Sequence, residues 1–333
     1  MIFVTGATGI VGSKLLHVLL ESGNSVRALR RENSSMRNVL RYIPEDSGLH
    51  KRIEWVTGDI THQDRVEELL EGVSQIYHCA ATVSFRKDDR DLIRRSNIRG
   101  TESLVNACLY KEDIRLCYVS STAALGRSQQ GEMINEDSTW KNSPYNSFYA
   151  VSKFVAEREV WRGIAEGLNA VILNPSIIIG PGNWSSDSSM PFTRVWKGLP
   201  FYTNGLTGFV GVGDVVSCMI KLMDSGIRDE RFIVTSENLE FREFFTMIAS
   251  ELGKKAPWIH AGKGITSIAW RAEYLRSKLT GRSPSITREH MIAANKRSYY
   301  SNEKIRDRLG VSFRSVNEVI SETAEEFRKE IES

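Results

Sequence analysis

The chain has 333 residues, enough for about two domains and for a core that folds without disulfides or a metal. Lys and Arg together number 44 and Asp and Glu 41, so the net charge is +3, while hydrophobic residues make up 41% and charged residues 26%. This balance is ordinary for a soluble globular protein. It argues against disorder, a collagen-like repeat and a strongly basic nucleic-acid binder.

The sequence lacks the usual signals for a metal site, a disulfide framework or export. Its four cysteines are scattered with no Cys-x-x-Cys pair, and its six histidines show no metal-ligand spacing. The N-terminus has no charged leader or small-residue cleavage site, and no apolar run reaches the ~18 residues that a membrane-spanning helix needs. We therefore expect reduced thiols, no metal and a cytoplasmic location.

Short apolar runs alternate with amphipathic stretches through the first half of the chain. This alternation predicts an α/β fold, with a doubly wound parallel sheet and right-handed crossovers. The predicted strands are Ile2–Thr5, Ser25–Leu29, Ile53–Thr57, Gln75–Cys79, Leu116–Ser120 and Ala170–Asn174. The predicted helices are Ser13–Glu21, Gln63–Leu70, Gly100–Tyr110 and Tyr149–Glu166.

The alternation breaks after Asn174. Residues 175–204 are rich in Pro, Gly, Ser and Trp, which indicates irregular structure or a lid. A helix is predicted over Phe209–Met223 and one more strand over Arg231–Thr235, and only helical patterns follow from Glu240. We expect two interleaved domains, residues 1–174 plus 207–236 and residues 175–206 plus 237–333, the second being smaller and mostly helical.

A glycine-rich segment, Thr5-Gly6-Ala7-Thr8-Gly9-Ile10-Val11-Gly12, directly follows the first strand and directly precedes a helix. Gly6 permits a tight turn, Gly9 lets the backbone approach a pyrophosphate, and Gly12 allows close helix–strand packing. The helix N-terminus adds free N–H groups and a positive dipole end. An ordinary glycine-rich turn is the alternative, but the strand–turn–helix context favours dinucleotide binding. The predicted contacts are Gly6, Thr8, Gly9, Ile10, Val11 and Gly12.

The end of the second strand usually distinguishes NAD from NADP. An acid at this point would accept a hydrogen bond from the ribose 2′-hydroxyl of NAD. Here the strand ends at Arg30 and Arg31, with no acid until Glu32. Two guanidinium groups could clamp a 2′-phosphate, so NADP(H) is preferred and NAD(H) remains possible. A solvated surface pair is the alternative.

The third and fourth strands end in residues suited to a cofactor. Asp59 can accept from the adenine amino group while Ile60 packs on the ring, although an ordinary turn Asp that caps the next helix is the alternative. Cys79, Ala80 and Ala81 are small residues at the end of the fourth strand, as expected where the backbone runs beside the cofactor. Tight packing alone is the alternative interpretation of their size.

Tyr149 and Lys153 place a phenol and an ammonium at i and i+4 on one helix face. A free tyrosine has a pKa of about 10, too high for proton transfer at neutral pH, and the Lys153 cation with an oxidised nicotinamide would lower that pKa. Tyr-x-x-x-Lys alone is also a common surface pair. The predicted strand Leu116–Ser120 leads to Ser121, whose hydroxyl could hold a substrate carbonyl oxygen while Tyr149 acts as general acid.

Together these residues resemble the extended short-chain dehydrogenase/reductase family over essentially the whole chain. The resemblance rests on Thr5–Gly12, Asp59, Asn97–Thr101, Ser121, Tyr149 with Lys153, the segment 174–182 and the segment 209–216. It implies a Rossmann-type doubly wound parallel sheet that binds NAD(P), with a smaller, mostly helical C-terminal substrate domain. It also implies catalysis by Ser121, Tyr149 and Lys153, with Val119, Pro175, Ser176 and Ile177 beside the cofactor.

Within that family the motifs are most similar to dihydroflavonol-4-reductase-like and 3β-hydroxysteroid-dehydrogenase-like members. This similarity implies a carbonyl reductase or alcohol dehydrogenase acting on a small or medium apolar molecule. A nucleotide-sugar epimerase or dehydratase with tightly bound NAD is the first alternative, and a non-catalytic dinucleotide-sensing protein is the second. The resemblance further implies a homodimer that pairs through Gly100–Tyr110 and Tyr149–Glu166. The candidate substrate contacts are Ser84, Phe85, Thr122 and Trp184.

The segment 254–297 departs from the even charge of the whole chain. It holds ten Lys and Arg against Glu273 and Glu289, or about +8, interleaved with aromatic residues. It could contact a membrane surface or an anionic partner, although a solvated helical face is the preferred interpretation. Nucleic-acid binding is not expected because no binding motif accompanies the charge.

Overall fold

The computed structural model describes residues 1–111, 113–126, 132–184, 189–280 and 287–332. Residues 281–286 of the basic segment and residues 185–188 lie outside the described residues, so the expectations for those positions are not addressed. The strands are β1 Ile2–Thr5, β2 Val26–Arg30, β3 Ile53–Thr57, β4 Gln75–His78, β5 Arg115–Val119, β6 Met133–Ile134, β7 Asn169–Pro175, β8 Ile177–Ile179, β9 Phe201–Tyr202, β10 Leu206–Gly211, β11 Glu230–Val234, β12 Glu237–Glu240, β13 Ile259–His260 and β14 Tyr299–Tyr300.

Helices cover both faces of the main sheet and make up much of the C-terminal part. They are α1 Ile10–Glu21, α2 Arg37–Tyr42, α3 Gln63–Leu69, α4 Arg90–Ile93, α5 Gly100–Leu109, α6 Phe148–Ala165, α7 Met190–Trp196, α8 Val212–Asp224, α9 Phe241–Glu251, α10 Lys263–Thr280, α11 Arg288–Ala294, α12 Glu303–Leu309 and α13 Val316–Glu332. A short π-helical stretch, Arg94–Arg99, joins α4 to α5.

Seven parallel strands form the main sheet in the order β11-β7-β5-β4-β1-β2-β3. Strands β1, β4, β5 and β7 are almost entirely buried, because helices cover both faces, and this explains their continuous apolar sequences. The order reverses between β1 and β4, so their carboxyl ends flank a crevice. The predicted Rossmann-type α/β fold is confirmed, and so is the late strand that returns to the sheet as β11.

Two apolar cores pack against opposite faces of this sheet. One joins α1 and α8 to the sheet through side chains such as Leu16, Val216 and Met219. The other joins α3, α5 and α6 through side chains such as Val66 and Val160. Their burial fixes α1 and α6, the two helices whose N-terminal ends approach the crevice.

The sequence prediction was wrong in three places after Asn174. The predicted helix Phe209–Met223 begins as strand, because Phe209 to Gly211 pair with β8 on one side and Phe209 pairs with β12 on the other. The helix α8 starts only at Val212. Residues 175–204 contain two short strands and α7 rather than irregular structure alone, and β13 and β14 follow Glu240. Two-residue strands are too short to show a period of two in sequence.

A third core joins the C-terminal helices to β10 through stacked aromatic rings. Phe209 stacks on Phe244 with centroids 4.2 Å apart, and Trp184 meets the edge of Phe327 at 5.0 Å. The candidate substrate contact Trp184 is only 8% exposed in this cluster. It does not line the cavity that contains Ser121, Tyr149 and Lys153. Its sequence position after the Pro175–Ile177 segment does not reveal this, because the contact with α13 spans more than a hundred residues.

The helix α13 also returns to the first part of the chain. Glu330 binds both Arg37 and Arg41 of α2. Arg41 donates to Asn38 Oδ1 at 3.3 Å, and Asn38 Nδ2 donates to Thr8 O at 3.0 Å. This chain of contacts connects α13 to the turn between β1 and α1.

None of the helices in the described ranges is long and apolar enough to cross a membrane. The same ranges contain no group of three or more His, Cys, Asp or Glu side chains placed to hold a metal ion.

Candidate active site

The turn between β1 and α1 lies at the crevice where the strand order reverses. Gly6 has φ +67°, and a Cβ there would lie 2.6 Å from Ala80 N. A Cβ on Gly12 would lie 2.2 Å from Gly6 O. Both contacts are far inside van der Waals distance, so these two glycines are required by the fold itself.

Gly9 differs from the other two glycines of the turn. A Cβ there would contact only Gly6 O, at 3.3 Å, and the residue faces both cavities that meet at the turn. Gly9 precedes α1, whose first turn has no acidic residue and no side-chain cap. The free N–H groups and the dipole of α1 therefore point at open space, an arrangement that suits a pyrophosphate.

A cavity of about 620 Å³ extends from this turn across the ends of β2 and β3. Arg30 and Arg31 line it as predicted, and Arg30 lies 5.5 Å from the ring centre of Trp55. Within the described chain, the buried Arg30 Nε has no hydrogen-bond partner. Two further arginines that sequence analysis missed, Arg95 and Arg99 of the π-helical stretch, line the same cavity. The cavity is strongly cationic, so its residues fit a phosphorylated dinucleotide.

The predicted adenine contacts line this same cavity. Asp59 Oδ1 accepts from Thr61 N and Thr61 Oγ1, both at 2.9 Å, so the carboxylate stabilises its own turn as well as facing the cavity. Burial raises the pKa of Asp59, but the Thr61 hydrogen bonds and the nearby His62 and Arg31 outweigh it, and the pKa is lowered. Ile60, Thr8, Cys79, Ala80 and Ala81 complete this lining.

The three candidate catalytic residues meet in a second cavity of about 450 Å³. Ser147 caps α6 by accepting from Ala150 N at 3.1 Å, so the helix starts just before Tyr149. Ser121 lies at the end of β5. The remaining predicted residues that line this cavity are Gly6, Gly9, Ile10, Val11, Gly12, Cys79, Ala81, Phe85, Val119, Thr122, Pro175, Ser176 and Ile177.

The side chains of Tyr149 and Ser121 line the same cavity. Burial raises the pKa of Tyr149, and the nearby Ser121 side chain acts in the opposite direction without reversing the rise. The expected lowering of the Tyr149 pKa by the Lys153 cation does not occur in the protein without a cofactor. The phenol is therefore protonated at neutral pH, the state required of an acid that donates to a carbonyl oxygen.

Lys153 is only 1% exposed. Its Nζ donates to Tyr118 Oη at 3.0 Å and to Val119 O at 2.9 Å. Burial lowers the pKa of Lys153 to about 8, although the Glu157 carboxylate and Cys79 oppose the shift. The sequence motif located the ammonium, but its partner Tyr118 lies on a different element and was not predicted.

Glu157 is a buried carboxylate of α6 that sequence analysis did not single out. Its Oε2 accepts from Ser120 Oγ at 2.6 Å and from Asn174 Nδ2 at 2.7 Å. Its Oε1 accepts from Arg231 Nη1 at 3.0 Å. Since Asn174 Nδ2 also donates to Ser121 O at 3.0 Å, Glu157 fixes the backbone of Ser121 through one intermediate side chain.

A buried histidine lies behind Lys153. The Thr101 hydroxyl donates to Asn97 O at 2.7 Å, so it accepts from His78 Nε2 at 3.0 Å. His78 Nδ1 must then accept from the Thr5 hydroxyl at 2.6 Å. Burial, followed by the Lys153 charge, lowers the pKa of His78 to about 3. The neutral ring thus ties β1, β4 and α5 together.

The outer wall of the catalytic cleft comes from α11, for which the sequence provided no signal. The ring of His290 lies 4.7 Å from Phe85, and Phe85 lies 6.1 Å from Tyr149. Glu289 Oε2 accepts from Phe148 N at 3.3 Å, which joins α11 to the start of α6. The candidate substrate contact Ser84 is buried and donates to Asp89 at 2.6 Å rather than lining the cleft.

A dinucleotide-sized crevice that ends at a tyrosine hydroxyl and a buried ammonium defines an NAD(P)-dependent oxidoreductase of the extended short-chain type. Residues 2–234 match the NAD dependent epimerase/dehydratase family. The chain belongs to that family. The match covers the main sheet from β1 to β11 and includes all three candidate catalytic residues.

Curated relatives and solved structures agree with this assignment. A putative dihydroflavonol 4-reductase of Synechocystis sp. is 30% identical over 98% of this chain and 94% of its own length. Sterol demethylase protein B of Methylococcus capsulatus is 32% identical over 76% of this chain and 75% of its own length. The dTDP-glucose 4,6-dehydratase DesIV of Streptomyces venezuelae, solved with NAD and TYD bound, has the same fold, with a TM-score of 0.78, 18% identity and coverage of 98% and 97% of the two chains.

Proposed function

We propose that the protein is an NADP(H)-preferring carbonyl reductase or alcohol dehydrogenase that acts on a small or medium apolar molecule. The observation that carries this proposal is the composition of the catalytic cleft. Beyond Tyr149 its walls include Val83, Phe85, Phe241 and Ala293. Among the described residues that line it, the cations are Lys153 and Lys296, with the acidic Glu289 beside them. This lining favours an apolar substrate over a nucleotide diphosphate, which needs several cations.

The chain's own groups perform the proton chemistry. In the proposed reduction, the hydroxyls of Ser121 and Tyr149 hold the substrate carbonyl oxygen, and Tyr149 Oη donates its proton to that oxygen. When bound, the NADP(H) cofactor would provide the hydride for the carbonyl carbon in this direction and would take it up in the reverse one. The Lys153 ammonium has three N–H donors. Two of them donate to Tyr118 Oη and Val119 O, and the third is left to hold the ribose. The positive charge of Lys153 favours the developing tyrosinate.

The preference for NADP(H) is supported by the four arginines around the larger cavity. Arg30 and Arg31 lie where a 2′-phosphate is expected, and the unpartnered Arg30 Nε provides a buried donor. Charge-assisted bonds of this kind contribute about 1.5–3 kcal/mol each. That amount is enough to separate two cofactors that differ by one phosphate.

Replacing both Arg30 and Arg31 with glutamine should therefore lower the ratio of kcat/KM for NADPH to kcat/KM for NADH by about 10²–10⁴-fold. Arg94→Gln is the matched control, because Arg94 lies next to Arg95 in the π-helical stretch but bonds to Asp91 and does not line the cavity. Steady-state kinetics with both cofactors measure the ratio. An unchanged ratio in the double variant would contradict the assigned role.

The substrate class is tested by comparing two kinds of ligand. Thermal-shift titrations with NADPH, NADH and UDP-glucose should show stabilisation by NADPH most strongly and none by UDP-glucose. NADPH oxidation should then be measured with aryl and aliphatic ketones. Stabilisation by UDP-glucose or dTDP-glucose without ketone turnover would instead support a nucleotide-sugar epimerase or dehydratase, the chemistry of DesIV.

We also propose a cytoplasmic homodimer that pairs through α5 and α6. The state of the cysteines supports the compartment, since Cys79, Cys108, Cys117 and Cys218 are all free thiols. Burial raises the pKa of Cys79, Cys108 and Cys218 to about 12, so these thiols are unreactive.

A further inference from the structure

The helix α10 exposes its most apolar face. Ile265, Ile268, Leu275 and Leu279 are 47%, 70%, 59% and 87% exposed. At 100° per residue these four side chains fall within about 80° of one another, and they form what we call the apolar stripe. A stripe of this kind normally faces a core, so its exposure needs an explanation.

The opposite face of α10 anchors the helix to the protein. Thr266 is 5% exposed, and its hydroxyl accepts from Asn295 Nδ2 at 3.4 Å and donates to Gly262 O at 3.1 Å. Trp270 and Glu273 lie on this same side, partly buried. The orientation of α10 is therefore fixed by its polar side, and the apolar stripe points to solvent.

Basic residues flank the apolar stripe. Arg271 and Lys278 lie along one edge and Arg276 along the other, as the same 100° spacing shows. The acidic Glu273 is paired with Arg276 through bonds of 2.6 and 2.7 Å. Just before the helix, Trp258 is 53% exposed with Lys255 Nζ 4.1 Å from its ring centre. The surface thus combines exposed apolar side chains with the positive charges of Arg271 and Lys278, whereas the charge of Arg276 is balanced by Glu273.

We propose that α10 docks the protein on an anionic lipid surface. The apolar stripe would enter the boundary between headgroups and acyl chains, and Arg271 and Lys278 would meet anionic headgroups. The positive charge of this surface favours an anionic lipid surface over a second copy of the chain as its partner. A second copy of the chain would bring an equally basic surface against this one, and like charges repel at such an interface. The proposal does not depend on the substrate or on the activity.

Vesicle co-sedimentation of the full-length chain tests this proposal. The protein should pellet with phosphatidylcholine vesicles that contain phosphatidylserine, and much less with phosphatidylcholine alone. Added salt should weaken the binding. Ile268→Glu with Leu279→Glu, and separately Arg271→Glu with Lys278→Glu, should each lower binding roughly tenfold or more. These side chains are exposed, so the thermal midpoint should hardly change.

Ile331→Glu serves as the control, because Ile331 is 43% exposed on α13, away from both the apolar stripe and the α5–α6 face proposed for the dimer. It should leave vesicle binding unchanged. Failure of the wild-type chain to pellet, or equal pelleting with both kinds of vesicle, would overturn the proposal. So would a dimer, detected by light scattering, that Ile268→Glu with Leu279→Glu converts to monomer, because the apolar stripe would then bind a second copy.

Discussion

Tyr149→Phe should slow carbonyl reduction by about 10²–10⁴-fold, the range that a positioned general acid contributes. The phenol is protonated at neutral pH because burial raises its pKa more than the nearby Ser121 side chain lowers it. Removing the phenol hydroxyl leaves the cofactor crevice intact. The loss should therefore appear in kcat, while NADPH affinity from a fluorescence titration stays near the wild-type value.

Tyr110→Phe provides the matched control for this experiment. The change is the same loss of a hydroxyl, but Tyr110 is exposed at the end of α5 and does not line the cleft. It should retain full activity. If Tyr149→Phe kept comparable turnover, the proton would have to come from another donor and the proposed mechanism would be wrong.

Glu157→Gln should cost about 3 kcal/mol in the free energy of unfolding and should also change the pH dependence. Removing the carboxylate leaves Arg231 without its buried partner, which is among the more destabilising single changes. Glu157 also raises the pKa of Lys153, which burial lowers to about 8. Without that anion the Lys153 ammonium loses its proton at lower pH.

The direction in which the reduction rate changes with pH depends on which protonation state of Lys153 is active. Lys153 is positively charged below its pKa, so the wild-type reduction rate should fall as the pH rises through about 8. In Glu157→Gln this fall should begin at lower pH. The other titratable groups around the ammonium are Tyr149 on its own helix, Tyr118 on β5, and His78 and Cys79 at the end of β4. All of them remain in the variant.

Glu159→Gln separates this effect from a general weakening of α6. Glu159 lies on the same helix and pairs with Arg162 at 2.9 Å, but the pair is partly exposed to solvent. The Glu159→Gln variant should lose less than about 1 kcal/mol in the free energy of unfolding and should keep the wild-type pH profile of the reduction rate. Glu157 would be purely structural if its glutamine variant lost stability while its pH profile kept the wild-type position.

Local sequence patterns predicted the sheet and brought attention to the candidate pair Tyr149 and Lys153, because these signals lie within a few residues. The glycine turn and the i, i+4 pair of Tyr149 and Lys153 are patterns of this kind. Glu157 follows Lys153 at the same spacing, so the periodicity of α6 could have identified it. Its partner Arg231 could not be inferred, because it comes from a strand more than seventy residues away.

The wrong or missed predictions have a common physical origin, which is contact between residues far apart in the sequence. Phe209 to Gly211 resembled a helix start, yet pairing with β8 and β12 holds them as strand, so tertiary contacts override local preference. Trp184 suited an apolar pocket, but Phe192 and Phe327 enclose it. The wall formed by α11 depends on a contact between Glu289 and Phe148 that spans half of the chain.

The contact between α13 and α2 has a consequence for the order of folding during synthesis. Glu330 is made more than three hundred residues after Thr8, yet it secures that turn through Arg41 and Asn38. A ribosome-bound chain can form β1 and α1 early from local contacts, but it cannot complete this link until α13 has emerged. Contacts of such long sequence separation form late and slow folding. The turn between β1 and α1 should therefore reach its final rigidity only after α13 has emerged from the ribosome.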